Sequence, residues 1–242
     1  MRSITFELCA ETLQACLAAR EGGANRIELC SALRKDGLTP SHGFVQAAVK
    51  QSGLPVYVLL RPRTGDFVYG DAEFALMRED LLHARTLGAS GFALGILRSD
   101  GTVDLKRTRE LVELAAPLEV TFHRAFDLTP SLDEALEDVI ATGCKRVLTS
   151  GGEHDVVAGS GSLARLVESA AERVDIAAGG GLRLDNAAKV ARATHAHHFH
   201  GSVRKIVANA VSASGLAQWF TNEYVVEPND IRAMIDALRD GE

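Results

Sequence analysis

Apolar positions along this chain come in short bursts at period two, separated by longer stretches at helical spacing. From Ile4 to Cys9, Ile4, Phe6 and Leu8 alternate with Thr5, Glu7 and Cys9, which predicts a strand. The Ala- and Leu-rich run Thr12 to Arg20 predicts a helix stopped at Gly22-Gly23. The same rhythm then repeats. Strands are expected over Arg26 to Cys30, Pro55 to Arg61, Gly91 to Leu97, from Glu119 to His123, and over Arg146 to Thr149, Val174 to Ala178 and Ala196 to His200. Helices are expected to end near Gln51 and to cover Asp71 to Leu87, Asp104 to Ala115, Leu132 to Ala141, Ser162 to Glu172 and Leu184 to Ala193. A longer polar loop and a last helix, Asp230 to Leu238, finish the chain. Alternating strand–helix pairs build parallel sheets. Eight of them suit a closed barrel better than an open sheet, which more often has about four to six strands. The expected fold is therefore an α/β single-domain TIM (β/α)8 barrel over residues 1–242, a length such barrels reach without splitting.

The period-two rule also places chemistry. Residues two apart on a strand share a face. If Phe6, Leu8, Ile27, Leu29, Val58, Leu60, Val120, Phe122 and Phe199 face the helices, the opposite set faces the barrel axis. That set is Glu7, Cys9, Glu28, Cys30, Arg61, Arg63, Thr121, His123, His198 and His200. All are expected near strand C-terminal ends, where barrel enzymes keep their reacting groups. The stretch Glu119 to Asp127 is the densest case, because His123, Arg124 and Asp127 crowd its end. Buried polar heads need partners, so this crowding reads as either an ion-pair network or a site rim. For strands 6 and 7 the facing phase is unclear, and Thr149 and Ser150 stay unassigned. In the run His195 to His200, alternation leaves only His198 and His200 on one face, which argues against a four-histidine metal tract.

Composition narrows the function classes. A net charge of −6 argues against nucleic acid or an anionic membrane as partner. The chain has no apolar run long enough to span a bilayer and no apolar signal region before Glu7 and Glu11. The four cysteines Cys9, Cys16, Cys30 and Cys144 lack C-x-x-C spacing, so reduced thiols in the cytoplasm are expected.

Several segments together resemble one family. They are Phe6-Glu7-Leu8-Cys9, Arg26 to Cys30, Gly37 to Ser41, Arg61-Pro62-Arg63 with Gly65-Asp66-Phe67, Val120 to Asp127, Val147 to Gly151, and Gly179-Gly180-Gly181. The chain is similar to the CutC family, known as copper homeostasis proteins, over roughly residues 4 to 202. The resemblance implies a TIM barrel, a cytoplasmic location and a link to copper, with Cys9 and Cys30 at the positions proposed as ligands. Two positions depart from the pattern. Thr64 replaces the usual glycine after the Arg-Pro-Arg run, and Gly201 stands where many members carry Cys or Ser.

Three readings of the site follow. Cys9 and Cys30, with His200, form a Cu(I) site, since soft thiolates favour Cu(I); against this, buried cysteines commonly act as small hydrophobes. Alternatively, the barrel is an isomerase, epimerase or lyase for a small phosphorylated or carboxylated metabolite. His123, Glu28 and Glu7 would then handle protons. Arg61, Arg63, Arg124, Asp127, Ser150, Gly180, Gly181 and Ser202 would hold the anion. The glutamates instead have a bland role open to them, neutralising the arginines. Lys145 and Lys205 sit poorly for a Schiff base. The third reading is a non-catalytic carrier or interaction protein. The oligomeric state stays open, with a homodimer as one option.

Overall fold

A computed structural model of the chain describes residues 4–207 and 223–241. Eight parallel strands form a closed barrel in sequence order. They are β1 (Thr5–Ala10), β2 (Arg26–Leu29), β3 (Val56–Leu59), β4 (Gly91–Leu94), β5 (Glu119–Phe122), β6 (Arg146–Thr149), β7 (Asp175–Gly179) and β8 (His198–Gly201). The helices are α1 (Leu13–Gly22), α2 (His42–Gln51), α3 (Asp71–Thr86), α4 (Leu105–Ala115), α5 (Leu132–Thr142), α6 (Ser160–Ala170), α7 (Ala187–Thr194) and α8 (Pro228–Arg239). The last of these packs against both α1 and α7 and completes the outer ring.

Local chemistry explains the punctuation. Thr12, Ser41, Asp104 and Ser131 each accept a backbone N–H in the first turn of the following helix, which satisfies a donor the helix leaves open. Gly23 and Gly143 end α1 and α5 in the left-handed region, where a side chain is strained.

The main apolar core lies between strands and helices. Phe6, Leu8, Ile27, Leu29, Val58, Leu60, Phe92, Val120, Phe122 and Phe199 all belong to it, with helix residues such as Met77, Leu81, Leu111 and Leu163. Inside the barrel the apolar set is small and separate: Cys9, Cys30, Leu59 and Ala93. The predicted facing rule therefore holds for these strands. Much of the remaining barrel interior is polar, with Glu7, Arg26, Glu28, Thr121 and Arg146 all buried beside Tyr57 and Leu148.

The structure corrects some boundaries. β3 stops at Leu59 and β4 at Leu94, earlier than alternation alone predicts. Pro62 lacks an N–H and restricts Arg61, so the ladder cannot continue there. α6 begins two residues before the expected helix. After β8 the chain forms an antiparallel pair, β9 (Lys205–Val207) with β10 (Glu223–Val225), inside the stretch expected to be loop. Residues 208–222 of that stretch lie outside the described residues. Among the described residues no helix is long and apolar enough to cross a membrane.

Packing inside the barrel is tight at Gly91. A Cβ there would lie 2.3 Å from the Tyr57 ring and 2.6 Å from the Glu119 carbonyl oxygen. The ring is held, because its hydroxyl donates to Glu119 Oε2 at 2.9 Å and Arg26 stacks on it at 3.1 Å. Gly91→Ala should therefore destabilise the fold by about 1–3 kcal/mol in urea unfolding. An unchanged midpoint would refute this packing.

Candidate functional site

The barrel interior is organised around Glu7. Its carboxylate, 1% exposed, accepts from Arg26 Nε at 2.5 Å and meets His200 Nδ1 at 2.8 Å. Arg146 Nη1 approaches it to 3.6 Å. Burial opposes the charge of Glu7, but Arg26, His200 and Arg146 outweigh it and hold the carboxyl well below the ordinary range. The network continues towards the strand N-termini. Arg146 Nη2 lies 2.8 Å from His198 Nδ1, and His198 Nε2 lies 3.4 Å from Asp175 Oδ1. Arg26 and Arg146 were not among the predicted site residues. Arg26 shares the phase of Glu28 two residues on, so alternation alone could have found it.

This geometry corrects two expectations. The inward-facing groups do not all gather at the C-terminal mouth, since His198 belongs to the opposite end with Asp175 and Arg146. Arg26, His200 and Arg146 hold the Glu7 carboxyl well below the ordinary range, which makes it their counter-ion and not the expected proton carrier.

Above Glu7, strands β8, β1 and β2 bring His200, Cys9 and Glu28 together. One ligand atom from each lies within 4.8 Å of the others. Register sets Cys9 opposite Glu28, not opposite Cys30. Even so, Cys9 Sγ lies 3.6 Å from Glu28 Oε1 and 3.7 Å from Cys30 Sγ. His200 Nε2 is 4.0 Å from Glu28 Oε1. Glu28 Oε2 is buried with no hydrogen-bond partner. Burial, reinforced by Glu7, pushes the Glu28 carboxyl up, while His200 pulls against it. Burial opposes a charge on His200, but Glu28 and Glu7 raise its pKa. Cys9 is raised well above the thiol range by its hydrogen bond to Cys30, burial and the nearby carboxylates. All four cysteines are free thiols.

The rest of the rim divides in two. On one side, the buried His123 Nδ1 accepts from the Ala125 N–H at 3.1 Å, which leaves the ring proton on Nε2. Burial and the nearby Arg61 push the His123 pKa down to about 3. The Arg61 guanidinium donates to the carbonyls of Lys35, Gly37 and Gly65 at 2.8–3.0 Å. Arg63 does not share this inner face. Its head pairs with Asp66 at 2.9 Å and with Glu73, and donates to the Val68 carbonyl at 2.8 Å. Alternation stops with the ladder at Leu59, so it cannot aim a residue beyond Pro62.

On the other side, Asp127 is fully engaged. It accepts from Arg124 Nε at 2.8 Å, from Thr149 Oγ1, and from the Ser150 and Gly152 N–H groups at 3.1 Å. Arg124 also donates to Ser150 Oγ at 2.8 Å. Asp127 therefore braces the loop after β6, which leaves it no capacity as the ligand contact expected from sequence. Arg124 packs on Gly180, where a Cβ would lie 2.9 Å from Cζ. Gly181 packs against Asp155 in the same way, and Ser202 follows β8, half-buried. Lys205 is tied to Asp230 at 2.7 Å.

A family model for the CutC family matches residues 4–205. The chain belongs to the CutC family. A CutC family protein from Chromobacterium violaceum is 43% identical over 242 residues, covering 96% of this chain and 97% of that protein. The crystal structure of a CutC protein from Streptococcus agalactiae, provisionally assigned to copper homeostasis, is 32% identical with a TM-score of 0.78. It covers 82% of this chain and 98% of that one. A solved aldolase, QR15, is 15% identical with a TM-score of 0.59 over 82% of this chain and 89% of its own, a likeness of fold alone.

His123 gives a pH dependence with a definite sign. Its folded pKa of about 3 lies below the ordinary 6.5, so the unfolded chain binds the proton first on acidification. Stability should fall as pH drops below about 6.5 and level off below about 3, losing ~2 kcal/mol between about pH 7 and pH 5. The urea midpoint of His123→Phe should lack this component of the slope. A slope identical to wild type would contradict a buried neutral imidazole.

Proposed function

We propose that the chain binds copper as Cu(I) inside its barrel and serves copper homeostasis in the cytoplasm. Cys9, Cys30 and His200 would hold the ion, with Glu28 facing the same point. The observation that carries this reading is the convergence of the Cys9 thiol, an imidazole nitrogen and a carboxylate with an unpartnered oxygen, with the Cys30 thiol 3.7 Å behind Cys9. Thiolate and imidazole suit soft and borderline metals. The Sγ–Sγ spacing of 3.7 Å is shorter than two metal–thiolate bonds of about 2.3 Å each, so one ion can reach both. Glu7 holds His200 by Nδ1, which turns Nε2 towards Glu28 and Cys9. A carboxylate behind a histidine in this way fixes the ring and raises its basicity as a ligand. The same site is poor for thiolates without a cation, because the Cys30 hydrogen bond and burial keep the Cys9 thiol protonated and Glu28 and Glu7 add to the opposition. A bound cation removes that opposition and displaces the thiol protons, so affinity should rise with pH. The family's name and the Streptococcus agalactiae relative support copper as the metal.

The test is a Cu(I) titration of the full chain against a chromogenic Cu(I) chelator under reducing conditions. Wild type should withhold copper saturably, and Cys9→Ser/Cys30→Ser should lose that retention while keeping its fold by circular dichroism. Retention equal to wild type in the folded double variant would sink the reading.

A further inference from the structure

Across the mouth from the proposed metal position, the ends of β3 and β5 enclose a buried cation without a counter-charge. Arg61 is 4% exposed, and its Nη atoms donate to the main-chain carbonyls of Lys35, Gly37 and Gly65. Among the described residues no carboxylate forms an ion pair with it. The other inward arginines differ in this respect: Arg26 and Arg146 have Glu7, and Arg124 has Asp127. Carbonyl dipoles and the Phe67 ring, 5.0 Å from Arg61 Cζ, soften the charge of Arg61 but do not neutralise it. A buried, unpaired ion is among the costliest features a protein can keep.

Two further observations point to the same corner. Arg61 Nε is buried with no hydrogen-bond partner, and so is His123 Nε2. Each is a donor, since Ala125 occupies the other His123 nitrogen. The Phe67 ring touches both residues, with its centroid 4.9 Å from that of His123. Space for the histidine is made by Gly95, where a Cβ would fall 2.5 Å from His123 Nδ1. The buried Tyr69 hydroxyl lies against the Arg61 guanidinium, near enough to interact with it though outside strict hydrogen-bond geometry. A buried donor left unmade loses its hydration with nothing in return, so a cluster of them calls for an acceptor.

We infer that this corner binds a small carboxylate, held by Arg61 Nε and His123 Nε2 beside the Phe67 ring. One positive charge and a neutral N–H match a monoanion with two oxygens better than a dianionic phosphate. Holding His123 neutral keeps it a donor on Nε2 and leaves the net charge of the corner at that of Arg61. The inference is independent of copper, because the donors come from β3 and β5 and the proposed metal ligands from β8, β1 and β2.

The decisive experiment is an NMR titration of the His123 ring ¹⁵N resonance in the full chain, with acetate, inorganic phosphate and chloride at constant ionic strength. Acetate should give a saturable shift, and Cys9→Ser should leave it intact. His123→Phe, followed by acetate-induced thermal shift, should lose the effect. Arg61→Lys should weaken acetate by roughly 10-fold or more, the loss of one charge-assisted hydrogen bond. Saturation by phosphate and not acetate would overturn the carboxylate assignment. A response to acetate no different from that to chloride would overturn the site and leave ordered water to meet these donors.

Discussion

The Glu7 carboxylate is the constraint on which the barrel interior depends. A closed barrel of eight short strands leaves room for few side chains, and here most of them are charged or polar. Glu7 accepts from Arg26 and meets His200 and Arg146, so one anion fixes the heads contributed by β2, β6 and β8. Removing it would leave the Arg146 guanidinium without its ion pair and Arg26 with only Glu119 at 3.9 Å, a loss of about 3–5 kcal/mol for a buried pair broken on one side. The same carboxylate sets the orientation of His200 and, through it, the field felt by Glu28 and Cys9. Structure and candidate chemistry thus share one group.

The interior is layered in consequence. Towards the strand N-termini lies a compensated network of Arg26, Tyr57, Glu119, Arg146, His198 and Asp175. Towards the C-termini lie groups whose requirements the protein does not meet by itself. Glu28 Oε2, Arg61 Nε and His123 Nε2 are all buried there without partners. Barrel proteins keep their ligands at this end because the loops there can vary without disturbing the ladder. The lower half is charge-paired, although Arg146 Nε and Nη1 lack hydrogen-bond partners there, whereas the mouth holds a guanidinium with no carboxylate beside it and a carboxylate oxygen with no donor; both proposed ligands are placed at the mouth on that ground.

The rim has its own braces. Asp127 gathers Thr149, Ser150 and Gly152 and orients Arg124 against Gly180. Arg61 ties the loops after β2 and β3 through the carbonyls of Lys35, Gly37 and Gly65. Polar residues conspicuous in the sequence therefore serve different ends. Asp127 and Arg63 are consumed by their own loops, while Arg61 and His123 each keep a donor in reserve.

The sequence by itself determined the architecture and the facing of the strands, because a period of two leaves each strand residue only two directions and the apolar set claims one of them. From that rule Cys9, Glu28, Cys30 and His200 were legible as interior residues, and Arg26 was legible though overlooked. Tertiary structure decided the level of each group along the barrel axis and its partner. Register between strands, which periodicity within one strand cannot supply, put Cys9 opposite Glu28, sent His198 to Asp175 and set Glu7 among Arg26, Arg146 and His200. Beyond the ladder, loop geometry took over. Thus Arg63 left the inner face, Asp127 was drawn into main-chain contacts, and Arg61 was buried without a carboxylate among the described residues. Those outcomes rest on contacts between segments far apart in the chain, and only the closed barrel brings them within reach of each other.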